Sequence, residues 1–210
     1  MFGTAGASTG TWGAPTTGPT AGWSLSATGA NAFAGFTTAT SDAMNFGDAT
    51  NGLGSGSITV GTVSSGNITF GAASGAITLT GGQITFGASS VTVNNATNTI
   101  NSTLAGSNAL SKAGTGILVL GGTNTRTGKL TISAGTISVG TIKNYGVAGG
   151  LGQQASSTVD QLGAGANAGT LIYTGAVDST NRQFLIGDAT AANAGGATFI
   201  NNGSGALTFN

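Results

Sequence analysis

Cysteine, histidine and glutamate are absent from the sequence, and charged residues make up only 5% of its 210 positions. Without Cys the chain can form no disulfide framework and no thiolate metal site. Five basic residues balance five aspartates, so there is no basic face of the kind that neutralises nucleic-acid phosphates. No apolar run approaches the 18 residues of a membrane-spanning helix. We expect neither nucleic-acid binding nor membrane insertion by this segment.

Clusters of acid, base and metal-ligating side chains are also lacking. Two of the five aspartates occur in a repeated Gly-Asp-Ala-Thr tetrapeptide, at residues 47–50 and 187–190. Asp after Gly is typical of turns, and one carboxylate alone would hold Ca²⁺ poorly. We therefore predict corners at both tetrapeptides, with no catalytic, cofactor or metal residues, and expect that the chain is not an enzyme.

Glycine, in contrast, is abundant at 40 of 210 residues, and good helix formers are scarce. A composition this rich in Gly raises disorder as an alternative. Against it stand a hydrophobic content of 39% and regularly spaced β-type segments, both of which disordered chains lack. The composition favours an ordered all-β protein.

Short apolar-Thr-apolar triplets recur from residue 55 onward, 7 to 10 residues apart, with Gly or Asn in most gaps. Alternation of this kind directs two apolar side chains to one face of a strand and Thr to the other. A β-sandwich would show longer strands. Three short strands per coil predict a parallel β-helix, a solenoid with about 20–25 residues per coil. The triplets are Ile58–Val60, Ile68–Phe70, Ile77–Leu79, Ile84–Phe86 and Val91–Val93.

The amino-terminal part differs from the rest because it contains both Trp residues, Trp12 and Trp23, and both Pro residues. Bulky aromatics and Pro suit a cap over the open end of a solenoid. The alternative is a platform on which the two Trp rings stack against a glycan. We predict an aromatic and Pro-containing cap with a first irregular coil at residues 1–54. Coils of the β-helix then occupy 55–210 and continue, or stack on another subunit, beyond residue 210.

The central stretch LSKAGTGILVLGGTNTRTGKLTISAGTISVG resembles the autotransporter-associated β-strand repeat, also called the passenger-associated transport repeat. Two positions depart from the pattern: Arg126 stands where the family usually has an aromatic residue, and Leu130 where it usually has Thr. Residues 169–188 are similar to the coil that often follows the repeat. The matching positions are Leu110, Lys112, Gly114, Gly116, Leu118, Leu120, Gly122, Asn124, Gly128, Ile132, Gly135, Ile137, Val139 and Gly140.

The resemblance implies a right-handed β-helix in a large secreted or surface-exposed bacterial protein, with no catalytic residues. The matching residues are then structural, and the expected location is extracellular or on the outer surface of a bacterium. Because net charge is near zero, little long-range repulsion opposes self-association. We expect a structural rod that builds a fibre, sheath or matrix by end-to-end or lateral association with itself.

Two alternatives remain open for the function. One is an adhesin whose side or aromatic cap binds surface glycans. The other is an ice-binding face, because Thr123, Thr125 and Thr127 alternate and would direct three hydroxyls to one side of an extended segment. Arg126 and Lys129 crowd that segment, and we expect no thermal hysteresis from it.

Several polar residues have expected structural roles. Asp178 and Arg182 are spaced to form an exposed ion pair across a loop, which would contribute roughly 0–1 kcal/mol. The three Lys residues are expected to keep edges and corners in water. Four Asn residues are expected at corners, where they can stack with Asn of neighbouring coils. The Lys residues are Lys112, Lys129 and Lys143, and the Asn residues are Asn94, Asn95, Asn98 and Asn101.

Overall fold

The apolar-Thr-apolar triplets all lie within β-strands and bury their apolar side chains. Ile58 and Val60, for example, are 0% and 2% exposed, while Thr59 between them faces solvent. The computed structural model describes residues 10–12, 38–87, 89–188 and 195–210. Those residues contain eighteen strands and no helix.

The strands are β1 (Gly10–Trp12), β2 (Met44–Phe46), β3 (Gly56–Ser65), β4 (Ile68–Phe70), β5 (Ile77–Phe86), β6 (Ser89–Val93), β7 (Thr97–Ile100), β8 (Thr103–Ala105), β9 (Leu110–Ala113), β10 (Ile117–Leu120), β11 (Leu130–Ile132), β12 (Gly135–Val139), β13 (Asp160–Leu162), β14 (Gly169–Tyr173), β15 (Asp178–Thr180), β16 (Phe184–Ile186), β17 (Ala197–Asn201) and β18 (Leu207–Phe209).

The strands form two large sheets and one small one. Sheet 1 has the order β1-β3-β5-β7-β10-β12-β14-β17, sheet 2 has the order β2-β4-β6-β9-β11-β13-β16, and β15 pairs with β18. Every strand pair is parallel. Because the chain crosses between the sheets and returns one layer further along, it winds as a coil. The predicted parallel β-helix is confirmed.

A third, shorter side closes each coil. β5 pairs with β7 through its first half and with β8 through its second half. The Thr125 and Arg126 amides then donate to the Leu104 carbonyl, and the Gln153 amide donates to the Arg126 carbonyl. Backbone hydrogen bonds thus continue the third side from layer to layer.

Strict register stacks like side chains in columns along the inside of the coil. In sheet 1 six successive layers place five aliphatic residues and one aromatic residue in one column, all of them at most 3% exposed. Such columns give the short strands one continuous apolar interior, which no single coil could provide. The column is Ile58, Leu79, Ile100, Leu120, Val139 and Tyr173.

Coil length is regular in the centre and longer near the carboxyl end. The paired residues Ile58 and Leu79 are separated by 21 positions, in the predicted range, whereas Ile137 pairs with Leu171 across 34. The difference comes from the segment between β12 and β13, residues 140–159, which leaves the three-sided path and returns to it. We call this segment the excursion.

The amino-terminal part contributes strands to the same sheets. β1 pairs with β3, and β2 pairs with β4. The Trp12 ring meets Phe46 edge-on at 6.0 Å between centroids, and Phe46 stacks on Phe70 at 5.2 Å. The division at 54/55 stays a prediction, and the remaining proposed cap residues, Pro15, Pro19 and Trp23, lie outside the described residues.

Replacing Gly135 by Ala is expected to destabilise the coil by at least about 1 kcal/mol, because Gly135 has a φ of 70° that residues with a Cβ disfavour. An added Cβ would also lie 2.5 Å from the Gly114 carbonyl oxygen. Gly140→Ala is the matched control, since nothing lies within 4 Å of a Cβ there. Urea unfolding of both variants measures the difference, and equal midpoints would contradict the expectation.

Candidate interaction surfaces

The carboxyl-terminal end of the coil exposes its interior. Ile186, Phe199 and Phe209 lie in β16, β17 and β18, and their register partners in the preceding layer are Leu162, Leu171 and Thr180. Those partners are at most 2% exposed, whereas Ile186 is 60%, Phe199 37% and Phe209 48% exposed. The inward-facing columns therefore extend to the last layer, where their side chains are exposed to solvent.

Three aromatic rings form the centre of this end. Phe184 and Phe199 lie 6.4 Å apart, Phe184 and Phe209 6.2 Å, and Phe199 and Phe209 5.3 Å, all edge-on. Around them run β16, β17 and β18, each the outermost strand of its sheet. We call this surface of three rings and three strand edges the open end. Exposed strand edges beside apolar side chains are a template for further strand pairing.

The opposite end of the coil differs from the open end. The inward residues of its outermost described strands are buried: Trp12 and Phe46 are 0% exposed and Met44 is 6% exposed. Among the described residues, the two ends therefore differ: apolar interior side chains are exposed at the carboxyl-terminal end and buried at the amino-terminal one.

The outer face of sheet 1 is the second notable surface. Its outward side chains are short, uncharged and mostly β-branched, and register aligns them in rows that run along the rod. One row is Thr97, Ile117, Thr136, Thr170 and Thr198. A second row is Ser57, Thr78, Thr99, Val119, Ser138, Ile172 and Ile200.

Inside the coil, a buried polar cluster holds the excursion. The Asp160 carboxylate accepts hydrogen bonds from the Leu130 amide at 2.9 Å, Gln154 Nε2 at 3.1 Å and Arg182 Nη1 at 3.2 Å. Burial raises the pKa of Asp160, while the Leu130 amide and the charge of Arg182 oppose that rise. Asp160 is only 2% exposed.

Two guanidinium groups complete the cluster. Arg182 donates to the carbonyls of Gly152 at 2.6 Å and Lys143 at 2.7 Å. Arg126 donates to the carbonyls of Leu151, at 3.2 Å, and of Gly128. Burial lowers the pKa of Arg126 to about 10, so the group stays charged at neutral pH. Both arginines bind backbone of the excursion, and the cluster anchors that segment to the rod.

Lys112 is a third buried cation. Its ammonium group donates to the carbonyls of Ala113, Gly114 and Ala134 at 2.8, 2.8 and 3.1 Å, and so joins two successive corners. Lys112 is 0% exposed, and its burial lowers its pKa to about 8. The expectation that Lys112 is solvated is wrong, because its stem lies along the apolar interior and only carbonyl oxygens surround its charge.

Two further expectations about polar residues are corrected. Asp178 pairs with Lys143 at 3.0 Å, and Arg182 pairs with Asp160 instead, because the excursion brings Lys143 beside Asp178. Asn98 lies inside strand β7 rather than at a corner, where it accepts a hydrogen bond from the Ile77 amide at 2.9 Å. The buried cluster was missed because its members are far apart in sequence.

The predicted turn role of Asp48 is visible in its hydrogen bonds. Asp48 Oδ1 accepts from the amides of Thr50 and Asn51, both at 2.7 Å. These bonds hold the pKa of Asp48 far below its usual range. Among the described residues no three metal-ligating side chains come together, and no helix there is long and apolar enough to cross a membrane.

The other predicted site residues are placed as follows. Trp12 lies in the interior, where Nε1 donates to Thr38 Oγ1 at 3.2 Å, so its ring faces protein rather than solvent. Trp23 lies outside the described residues. The exposed Thr123, Thr125 and Thr127 lie outside any strand.

Within the repeat-like stretch, the apolar positions line the interior. Gly114 and Gly135 adopt positive φ at corners. Asn124 joins three layers, because it accepts from the Leu104 amide and donates to the Gly150 carbonyl. The buried apolar positions are Leu110, Leu118, Leu120, Ile132, Ile137 and Val139, while Gly116 and Gly128 approach neighbouring backbone closely.

Asp160→Asn is expected to lower the free energy of unfolding by about 3–5 kcal/mol, since it leaves two buried guanidinium groups without a counter-charge. Asp178→Asn is the control, because its pair with Lys143 is partly exposed and should contribute only about 0–1 kcal/mol. Equilibrium denaturation measures both, and equal losses would contradict the assigned role of Asp160.

Stability should also depend on the ionisation of Lys112. Its folded-state pKa of about 8 is below the usual 10.5, so the folded protein binds fewer protons than the unfolded chain between those values. The free energy of unfolding should therefore rise as pH increases from about 8 to 10.5. Comparison with Lys112→Met isolates this contribution, and parallel pH profiles for both proteins would refute it.

Comparison with known proteins supports the resemblance seen in the sequence. The family model described as passenger-associated-transport-repeat matches residues 110–139. A region of 99 residues, 47% of this chain, is 39% identical to the adhesin BmaC autotransporter of Brucella suis biovar 1 (strain 1330). The match covers 3% of the length of that relative. No solved structure matches the chain significantly.

The repeat and the autotransporter relative imply an extracellular or cell-surface location, which confirms the expected localisation. The parallel coils and the positive φ of the corner glycines are the structure that this repeat implies for residues 110–139. The chain is therefore a parallel β-helix whose residues 110–139 match the passenger-associated transport repeat.

Proposed function

We propose that this segment is a non-catalytic structural rod of an adhesin-like surface protein, and that it associates with itself through the open end. The observation that carries the proposal is the exposure of Ile186, Phe199 and Phe209, whose column partners one layer earlier are buried. A second layer of strands laid on this end would bury those side chains and pair the three strand edges.

Electrostatics favour such an association. β16, β17 and β18 carry no charged residue, so the three strand edges themselves add no like-charge repulsion when two open ends meet. Fully burying an exposed apolar side chain of this size contributes about 1.5–3 kcal/mol, and since these three are 37–60% exposed, completing their burial contributes about 1 kcal/mol each. Several such side chains at one end support self-association in the manner of a fibre, sheath or matrix component.

The name of the Brucella relative favours a second candidate, an adhesin, and surface glycans are the ligand class that we propose for it. The buried Trp12 ring offers no stacking platform for a sugar, so such a function would use other side chains. Screening the purified chain on a glycan array distinguishes the candidates. Binding to defined glycans by a monomeric chain would favour the adhesin over the self-associating rod.

Ile186→Lys should weaken end-to-end association at least about tenfold, because it introduces a charge that the next layer would have to bury. Leu185→Lys is the matched control: Leu185 is the neighbouring residue, is 43% exposed and points outward. Sedimentation velocity over increasing concentration measures association, and electron microscopy shows rod length. A wild-type chain that stays monomeric at high concentration would refute the proposal.

A further inference from the structure

The charged residues are distributed unevenly over the rod. All five basic and all five acidic residues fall within the described residues, yet none lies on the outer face of sheet 1. Lys129 bonds to Gln161 on sheet 2, and Lys143 pairs with Asp178 on the third side. Exposed sheets usually carry charges that prevent sheet-to-sheet association, and this face has none.

The face also lacks the side chains that recognise other partners. Its outward residues are Thr, Ser, Ile and Val, without the aromatic rings that stack on sugars or the basic groups that bind phosphates. All except Ser138 are partly or fully exposed. They are Thr11, Ser57, Thr59, Thr78, Thr80, Thr97, Thr99, Ile117, Val119, Thr136, Ser138, Thr170, Ile172, Thr198 and Ile200.

Register makes this face complementary to itself. The two long rows run side by side along the rod, and a second copy related by a two-fold axis would present the same two rows to them. Short β-branched side chains interdigitate between packed sheets, and Thr pairs can hydrogen-bond across them. Rigid side chains of this kind lose little conformational freedom on packing.

The size of the face suits weak pairing. Its eight strands, about 4.8 Å apart, span about 34 Å, and five residues of a strand extend about 17 Å. One copy thus offers about 600 Å² and two copies about 1,200 Å², at the lower limit of specific interfaces. Because both copies present the same uncharged face, no electrostatic repulsion opposes their contact.

We propose that the outer face of sheet 1 is a lateral interface between two copies of this chain, which pack these faces against each other. The inference rests on the proposed self-association and adds a second, sideways contact to the end-to-end one. Each copy then has one end contact and one lateral contact, both of them two-fold, so copies that use both contacts form chains longer than a dimer.

The test combines variants of the two surfaces. Ile186→Lys serves as background because it weakens the end contact at least about tenfold, and it should still form dimers between about 1 µM and 1 mM. Adding Thr99→Lys and Thr136→Lys should weaken that dimer at least about tenfold. Thr92→Lys with Thr131→Lys is the matched control, since these Thr residues are likewise partly exposed and lie on the outer face of sheet 2.

Cross-linking provides a second measurement. Because the chain has no Cys, Val119→Cys places one thiol in the middle of the proposed interface, and a bis-maleimide should join two copies. Thr92→Cys on sheet 2 is the control and should give no cross-linked dimer. Circular dichroism melting establishes that every variant is folded.

The outcomes separate the two proposals. If Ile186→Lys is monomeric throughout while the wild type assembles, the lateral interface is refuted and the end contact stands. If Ile186→Lys has no effect but the sheet 1 lysines abolish assembly, the lateral interface stands and the end contact is refuted. Equal effects of the sheet 1 and sheet 2 lysines, or thermal hysteresis from a monomeric chain, would overturn the lateral interface.

Discussion

Parallel register between successive layers is the constraint on which this structure depends. A strand of three residues is unstable alone, and only alignment with the layers before and after it buries its side chains. Leu118 illustrates this: it lies between Asn98 and Ile137 in one column and is fully buried. A shift of one residue would reverse the inward and outward sets of a strand, so register also determines what each outer face presents.

The same constraint explains why polar groups occur inside the rod. Arg126, at a position usually occupied by an aromatic residue, stays in the interior and reaches carbonyls of the excursion. Asp160 supplies a counter-charge from a later layer. A buried charge is tolerated in the interior of the rod where neighbouring layers supply an opposite charge and carbonyl oxygens as hydrogen-bond partners. These contacts hold the excursion, a segment of 20 residues that leaves the path of the coil, against the rod.

The fold could be predicted from the sequence because its signal is local and repeated. The triplets Ile58–Val60 and Ile68–Phe70 show the alternation of buried and exposed residues directly. The buried cluster could not be predicted, since Arg126, Asp160 and Arg182 meet only after the excursion has placed them. The burial of Lys112 was likewise hidden, because single-residue polarity does not reveal which face of β9 points inward. The open end could be predicted from the triplet pattern alone. The continuous outer face of sheet 1 could not, because it depends on the register between strands.

The excursion has a consequence for how such a rod can change over evolutionary time. Sheet 1 keeps its pairing from β12 to β14 although 34 positions separate Ile137 from Leu171. Each layer contacts only its neighbours, so chain can be gained or lost between strands without disturbing distant layers. New surface loops can therefore arise on an unchanged core, and variation of the exposed surface need not compromise folding.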